Sequence, residues 1–225
     1  MEKHEFFKDN KRIMLYKLSD KKVPLIYTTM YEEAGNTVIL ACKKAGCKEF
    51  NLVSISNLNW DDELSPWESA PVVSNDDHFT GSANDYLRFI ENEIIPIAEK
   101  EFDISKKIIC GYSMAGLFAL YSAYFSNKFD GIISVSGSLW YPKFYDFAKS
   151  HEFKKIPEFI YLSLGDRESK TNNSYLNTTQ GITEKLAEYY QDKGINSIFE
   201  LNHGNHYSNV DTRLAKAIKW SLEQI

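Results

Sequence analysis

The stretch from Lys107 to Leu120, KIICGYSMAGLFAL, constrains this chain more than any other. A short β-branched run stops at Gly111, Ser113 follows two residues later, and small residues lead into an apolar helical pattern. A strand that ends in a sharp turn and restarts as a helix, with serine at the corner, is the arrangement of a nucleophile elbow. Little bulk fits beside such a turn, because backbone segments pass close together there. Gly111 and Ala115 flank Ser113 at minus two and plus two, with Gly116 next, so the usual glycine at plus two is replaced by alanine. Many plain strand-to-helix connections also contain Gly and Ser, so the elbow needs partners elsewhere in the chain.

The rest of the chain alternates strands and helices. Arg12 to Leu18 and Pro24 to Thr29 read as strands, either a hairpin or sequential strands at one end of a sheet. A short helix follows between Gly35 and Gly46, with Val38, Ile39, Cys42 and Ala45 on one face and Gly46 as its C-cap. Phe50 to Ser56 is the next strand, and this strand–helix–strand unit implies parallel pairing. Residues 57–81 show no periodicity and form a long loop near the active site, of the length that compact domains reserve for function. Its exposed aromatics, Trp67 among them, are candidates for a substrate entrance, as is His78. The alternative is that Trp60 and Trp67 simply pin the loop down.

Ser82 is placed to cap a long helix in which Pro96 forces a kink or break. Further buried-type strands run over Gly131 to Ser136, Phe159 to Leu164 and Asn196 to Leu201. Helices are expected near Lys143 to His151, Leu176 to Asp192 and Thr212 to Leu222. No internal repeat or linker interrupts the 225 residues, so the expectation is a single three-layer α/β domain.

A serine hydroxyl is a weak nucleophile and needs a base that is itself held by an acid. In this sheet class both follow the serine, acid before histidine, at the exits of later strands. The turn Gly165-Asp166-Arg167-Glu168 supplies two carboxylates after one strand, and Asn202-His203-Gly204-Asn205-His206 two histidines after the next. Asp166 also suits a plain turn-forming or capping role, and a loop histidine is often only solvated. It is the joint order that gives the pattern its weight.

With these residues in view, the chain resembles the esterase branch of the α/β-hydrolases, which includes enterochelin esterases, feruloyl and acetylxylan esterases, S-formylglutathione hydrolase and mycolyltransferases. The resemblance rests on Ser65-Pro66-Trp67, Phe79-Thr80-Gly81, Gly111-Tyr112-Ser113-Met114-Ala115-Gly116, Val135-Ser136-Gly137-Ser138-Leu139-Trp140, Gly165-Asp166-Arg167-Glu168, Gly204-Asn205-His206 and Ala217-Ile218-Lys219-Trp220, and is strongest to the enterochelin-esterase-like members. It implies the α/β-hydrolase fold, a mostly parallel central sheet with helices on both faces. It makes Ser113 the nucleophile, His206 the base and, through a Gly-x-x-acid pattern, Glu168 the acid, although some enterochelin-type members manage with a serine–histidine dyad. The oxyanion donors it implies are the backbone N–H groups of Met114 and Tyr31. Where the family commonly has Asp-Gly before the second donor, this chain has Thr29-Met30.

The implied reaction is hydrolysis of small-molecule carboxylic esters, siderophore-type lactones among them, without metal or cofactor. An acyltransferase using the same residues, or an inactive binding protein of this fold, would share the pattern. A net charge of −5 without a basic stripe gives no expectation of nucleic acid, and no apolar run suggests a signal peptide or membrane span. Three cysteines, Cys42, Cys47 and Cys110, lack metal or disulfide spacing, so a cytoplasmic protein is expected.

Overall fold

Buried, β-branched strands stacked between helices set the architecture of the computed structural model, which describes residues 1–74 and 78–225. The chain opens with β1 (Glu2–Lys8) and β2 (Lys11–Lys17), an antiparallel hairpin. Asp9 and Asn10 at its tip both take positive φ, 47° and 62°, as a tight two-residue turn matching the strand twist requires. There follow β3 (Val23–Thr29), α1 (Gly35–Ala45) and β4 (Asn51–Ser56). α1 ends at Gly46, whose φ of 72° is the left-handed cap expected there.

Residues 57–81 hold more structure than a plain loop. A single turn, α2 (Trp60–Glu63), is followed by β5 (Glu68–Ser69) and β6 (Phe79–Thr80), which pair antiparallel as a small separate sheet. Gly81 closes it at a φ of 89°, where a Cβ would come within 2.6 Å of the Trp67 backbone. Next come α3 (Ala83–Phe89) and α4 (Ile95–Glu101), joined by a π-turn at Ile90–Ile94. The break forced by Pro96 thus takes the form of a widened turn, which leaves the proline in the first turn of α4, where no N–H is needed. Ser82 does stand at the start of α3, but its hydroxyl donates to Asp62 at 2.7 Å and makes no cap to its own helix.

The remaining elements are β7 (Ile104–Tyr112), α5 (Met114–Phe125), β8 (Gly131–Val135), α6 (Phe144–Ser150), β9 (Phe159–Gly165), α7 (Thr179–Asp192), β10 (Asn196–Asn202) and α8 (Val210–Glu223). The eight-stranded sheet runs β1-β2-β4-β3-β7-β8-β9-β10. From β4 to β10 every neighbour is parallel, while β1 and β2 join antiparallel at one edge. The strands β2 and β3 therefore do not form a hairpin. The β3–α1–β4 crossover lays β4 against β3, and β2 takes β4's other edge.

Two apolar layers hold the helices to the sheet. On one face Val38, Ile39 and Cys42 of α1 pack with Leu214, Ala217 and Ile218 of α8. The other face receives α3 to α7, with Leu117, Phe118 and Leu120 of α5 at its centre. α5 is buried from Met114 to Tyr124, so it is apolar all round. Burying each of its large side chains contributes about 1.5–3 kcal/mol, which anchors the element that follows Ser113. Among the described residues no helix is long and apolar enough to cross a membrane.

Candidate active site

The corner between β7 and α5 is held from several sides. Ser113 has φ 60° and ψ −125°, a conformation that costs a non-glycine residue on the order of 1–3 kcal/mol unless its surroundings enforce it. They do. Its N–H donates to the Val135 carbonyl at 3.1 Å, and its own carbonyl accepts from Gly116, Leu117 and Ser138 at 3.0, 3.1 and 3.0 Å. At Gly111 a Cβ would lie 2.0 Å from the Ala115 carbonyl, and at Gly116 2.9 Å from the Gly137 Cα. The close approaches fall on these two glycines, which is why alanine is accommodated at 115.

The acid and histidine turns are stitched together before either reaches the serine. Asp166 accepts from the Gly204 N–H at 2.9 Å and from His203 Nδ1 at 3.1 Å, while the Asp166 and Arg167 amides donate to Asn202 and Gly204. The Gly204 amide is the main reason the Asp166 carboxyl lies below its usual range. Gly165 permits this contact, since a Cβ there would sit 2.4 Å from the Gly204 carbonyl. Asp166 faces the neighbouring turn, and Glu168 faces the serine.

Glu168 Oε2 lies 2.7 Å from His206 Nδ1, and His206 Nε2 lies 3.0 Å from Ser113 Oγ. The other carboxylate oxygen, Oε1, accepts from the Gly165 N–H at 2.6 Å, Ser136 Oγ at 2.7 Å and Arg213 Nη2 at 2.8 Å. Burial alone would raise this carboxyl, whose side chain is 6% exposed, but hydrogen bonds from His206, Arg213 and Ser136 overcome it and hold it at about 2. An ionised Glu168 can only accept, so Nδ1 must carry the proton and a neutral His206 offers Nε2 as an acceptor to the serine hydroxyl.

Three further residues, Arg213, Tyr112 and Ser136, support this relay. Arg213 lies on α8, 3% exposed, and besides Glu168 it donates through Nη1 to the Tyr112 hydroxyl at 3.0 Å and the Asn205 carbonyl at 3.2 Å. Tyr112 in turn donates to the His206 carbonyl, and its ring meets the imidazole edge-on at 5.4 Å between centroids. Ser136 takes a φ of 47° beyond β8, its N–H donating to Ser163 at 2.8 Å, so that its hydroxyl reaches the acid. One signal was available: Arg213 sits one turn before Ala217, a charge on the apolar face of its helix.

On the other side of the serine, the parallel register sets Thr29 of β3 opposite Gly111 of β7, which brings Tyr31 alongside Ser113. The Met30 N–H is spent on Ile55 at 2.9 Å. Glu33 anchors the segment that follows. Its Oε1 accepts from the buried Tyr16 hydroxyl at 2.6 Å and the Gly35 N–H at 2.7 Å, and its Oε2 from Ser54 at 2.6 Å. Met114, the other expected donor, is the first residue of α5, and the amides that open a helix have no carbonyl within it.

Two cavities meet at Ser113. The larger, about 710 Å³, is lined by residues 28–32 of the Tyr31 segment, Val38 and Leu214, and the smaller, about 360 Å³, by Phe79, Trp140 and Leu176. Trp60, His206 and Tyr207 border both. Trp67, a sequence candidate for the substrate entrance, stands where it pins the loop down. Its indole N–H donates to Pro142 at 3.0 Å and its ring packs among Tyr141, Phe144 and Phe147, outside the described lining of both cavities. The loop tryptophan at the cleft is Trp60, edge-on to Tyr31 at 5.6 Å. His78 is exposed and is likewise not among the described lining residues.

This geometry defines an α/β-hydrolase fold with a serine, a histidine and a carboxylate converging at a cleft. Residues 34–210 match the model of the Esterase family, described as "Putative esterase", and the chain belongs to that family of ester-acting hydrolases. Among curated relatives it is 23% identical over 182 residues to YbbA of Bacillus subtilis, an uncharacterised protein, covering 76% of this chain and 73% of that one. It is 27% identical over 152 residues to the ferri-bacillibactin esterase BesA of the same organism, covering 63% of this chain and 52% of BesA. Among solved structures, an IroE-like serine hydrolase from Shewanella oneidensis superposes with a TM-score of 0.81 at 16% identity, over 99% of this chain and 80% of that one.

Proposed function

We propose that this protein hydrolyses carboxylic esters through an acyl-enzyme on Ser113. The observation that carries this reading is the unbroken relay from Glu168 through His206 to Ser113, with contacts of 2.7 and 3.0 Å, opening onto a cleft. In the first step Ser113 Oγ attacks the ester carbonyl carbon as its proton passes to His206 Nε2. Glu168 stabilises the imidazolium and keeps its ring in place. Collapse of the tetrahedral adduct breaks the C–O bond, and the departing alcohol takes the proton from Nε2. Water then repeats the sequence on the acyl-serine, with His206 as base, and releases the acid.

The oxyanion is held by backbone amides. Met114 supplies one from the start of α5. Tyr31 supplies the second, from the segment that follows β3 and lines the same cavity as Ser113. Each such donor contributes roughly 10²–10³ in rate. The name of BesA supports testing siderophore lactones among the esters.

A fluorophosphonate probe should label the protein, and Ser113→Ala should abolish both the labelling and the turnover of p-nitrophenyl acetate. Labelling that persists in Ser113→Ala would overturn the assignment. Products formed with added alcohols distinguish hydrolysis from acyl transfer.

A further inference from the structure

The charge of the cleft narrows the substrate, given the esterase reading above. Neither cavity has a lysine or arginine among its described lining residues. The charged side chains that do line them are carboxylates, Glu32 and Asp211 in the larger, Asp61 and Glu168 in the smaller. Arg213 is the nearby buried cation, but it lies beneath the site and is engaged by Glu168, Tyr112 and Asn205. Most of the remaining wall of the larger cavity is apolar, with Met30, Val38, Val210 and Leu214 and the Tyr31–Trp60 pair, alongside the neutral Thr28, Thr29 and Thr37.

A cleft lined by one sign of charge focuses its field on whatever enters, and low-dielectric walls strengthen the effect. An anionic ester would have to approach Ser113 past Glu32 and Asp211 with no cation to receive it. A developing oxyanion would add a further negative charge beside it. An uncharged ester incurs neither cost and gains the apolar walls. We propose that this cleft selects uncharged, apolar esters and rejects anionic ones, an iron(III) tris-catecholate with its net charge of about −3 included. Glu32 and Asp211 are then specificity-determining residues that act through charge.

The test is a pair of nitrophenyl esters matched in length, 4-nitrophenyl butyrate and the anionic mono-4-nitrophenyl glutarate. The neutral ester should have the higher kcat/KM by on the order of tenfold or more at low ionic strength, with the gap shrinking as salt is added. Reversing the charge in Glu32→Lys/Asp211→Lys should raise the anionic-to-neutral ratio by about tenfold. Equal or better use of the anionic ester by the unmodified protein, or a ratio unmoved in the double variant, would overturn the proposal. Binding gives an answer that does not depend on turnover. Titrated calorimetrically into Ser113→Ala, the neutral ester should bind and the iron(III) tris-catecholate should not, and the reverse order would overturn charge selection. Loss of all turnover and of Ser113 labelling would instead remove the esterase reading, leaving the binding result to decide the charge question.

Discussion

On one side of Ser113, the Glu168 carboxylate receives hydrogen bonds from Gly165, Ser136, Arg213 and His206, all at 2.6–2.8 Å and buried between β8, β9 and α8. On the other side, the segment after β3 crosses the cleft with Tyr31 72% exposed, tied down chiefly by one carboxylate, Glu33. The difference is one of redundancy. The half that holds His206 is over-determined, as the proposed proton relay requires. The half proposed to present an amide to the oxyanion rests chiefly on Glu33, with the Met30–Ile55 bond beside it, and there the rate can be tuned without disturbing the fold.

Breaking the acid side should have the largest effect. Glu168→Ala should lower kcat by on the order of 10⁴, as for acids in comparable relays. Asp166→Ala should cost far less, because it loosens the neighbouring turn without touching the imidazole. If p-nitrophenyl acetate turnover collapses only in the Asp166 variant, the two carboxylates have been given the wrong roles. Arg213→Met leaves the acid buried without its cation, and thermal unfolding should report a loss of about 3–5 kcal/mol. An unchanged melting temperature would mean that the pair contributes little. Glu33→Ala removes both acceptor oxygens, so Tyr16, Ser54 and the Gly35 amide all lose this partner. kcat should fall roughly tenfold to a hundredfold with KM little changed, the mark of an interaction made only in the transition state. A rise in KM at constant kcat would show that the segment binds substrate and does not hold the oxyanion.

The smallest effect near neutrality concerns acid. Glu168 is held at about 2 in the folded protein, below its ordinary 4.5, so it binds its proton more readily in the unfolded chain. Its contribution to stability is therefore complete above about 4.5 and lost as pH falls towards 2. Glu168→Gln should lose part of the pH dependence of unfolding in that window, and an unaltered profile would place the acid sensitivity elsewhere.

Sequence made the parallel strands legible because short apolar runs such as FIYLSL are buried on both faces. It did not mark β1, whose residues are exposed apart from Phe6 and carry no alternation to read. The order of β2, β3 and β4 was equally hidden, since neighbours in a sheet are chosen by crossovers and edges. In the cleft, the convergence of Ser113, Glu168 and His206 is legible because each stands at the exit of its own strand. Ser136 and Arg213 are not, because their use depends on three separate elements meeting at one carboxylate. Trp60 and Trp67 show the same limit, being alike in sequence context while one lines the cleft and the other packs among Tyr141, Phe144 and Phe147.

The pairing of Thr29 with Gly111 also has a kinetic side. Those strands are neighbours in the sheet but lie far apart in the chain, with three short strands and the helices α1 to α4 between them. Such contacts require loop closure before they return any energy, so parallel sheets of this kind form slowly. The cleft needs both that pairing and α8, the last helix, to bring Arg213 beneath Glu168. A ribosome-bound chain ending before α8 should hold most of the sheet and still be inert, and activity in refolding should return only with the slowest phase.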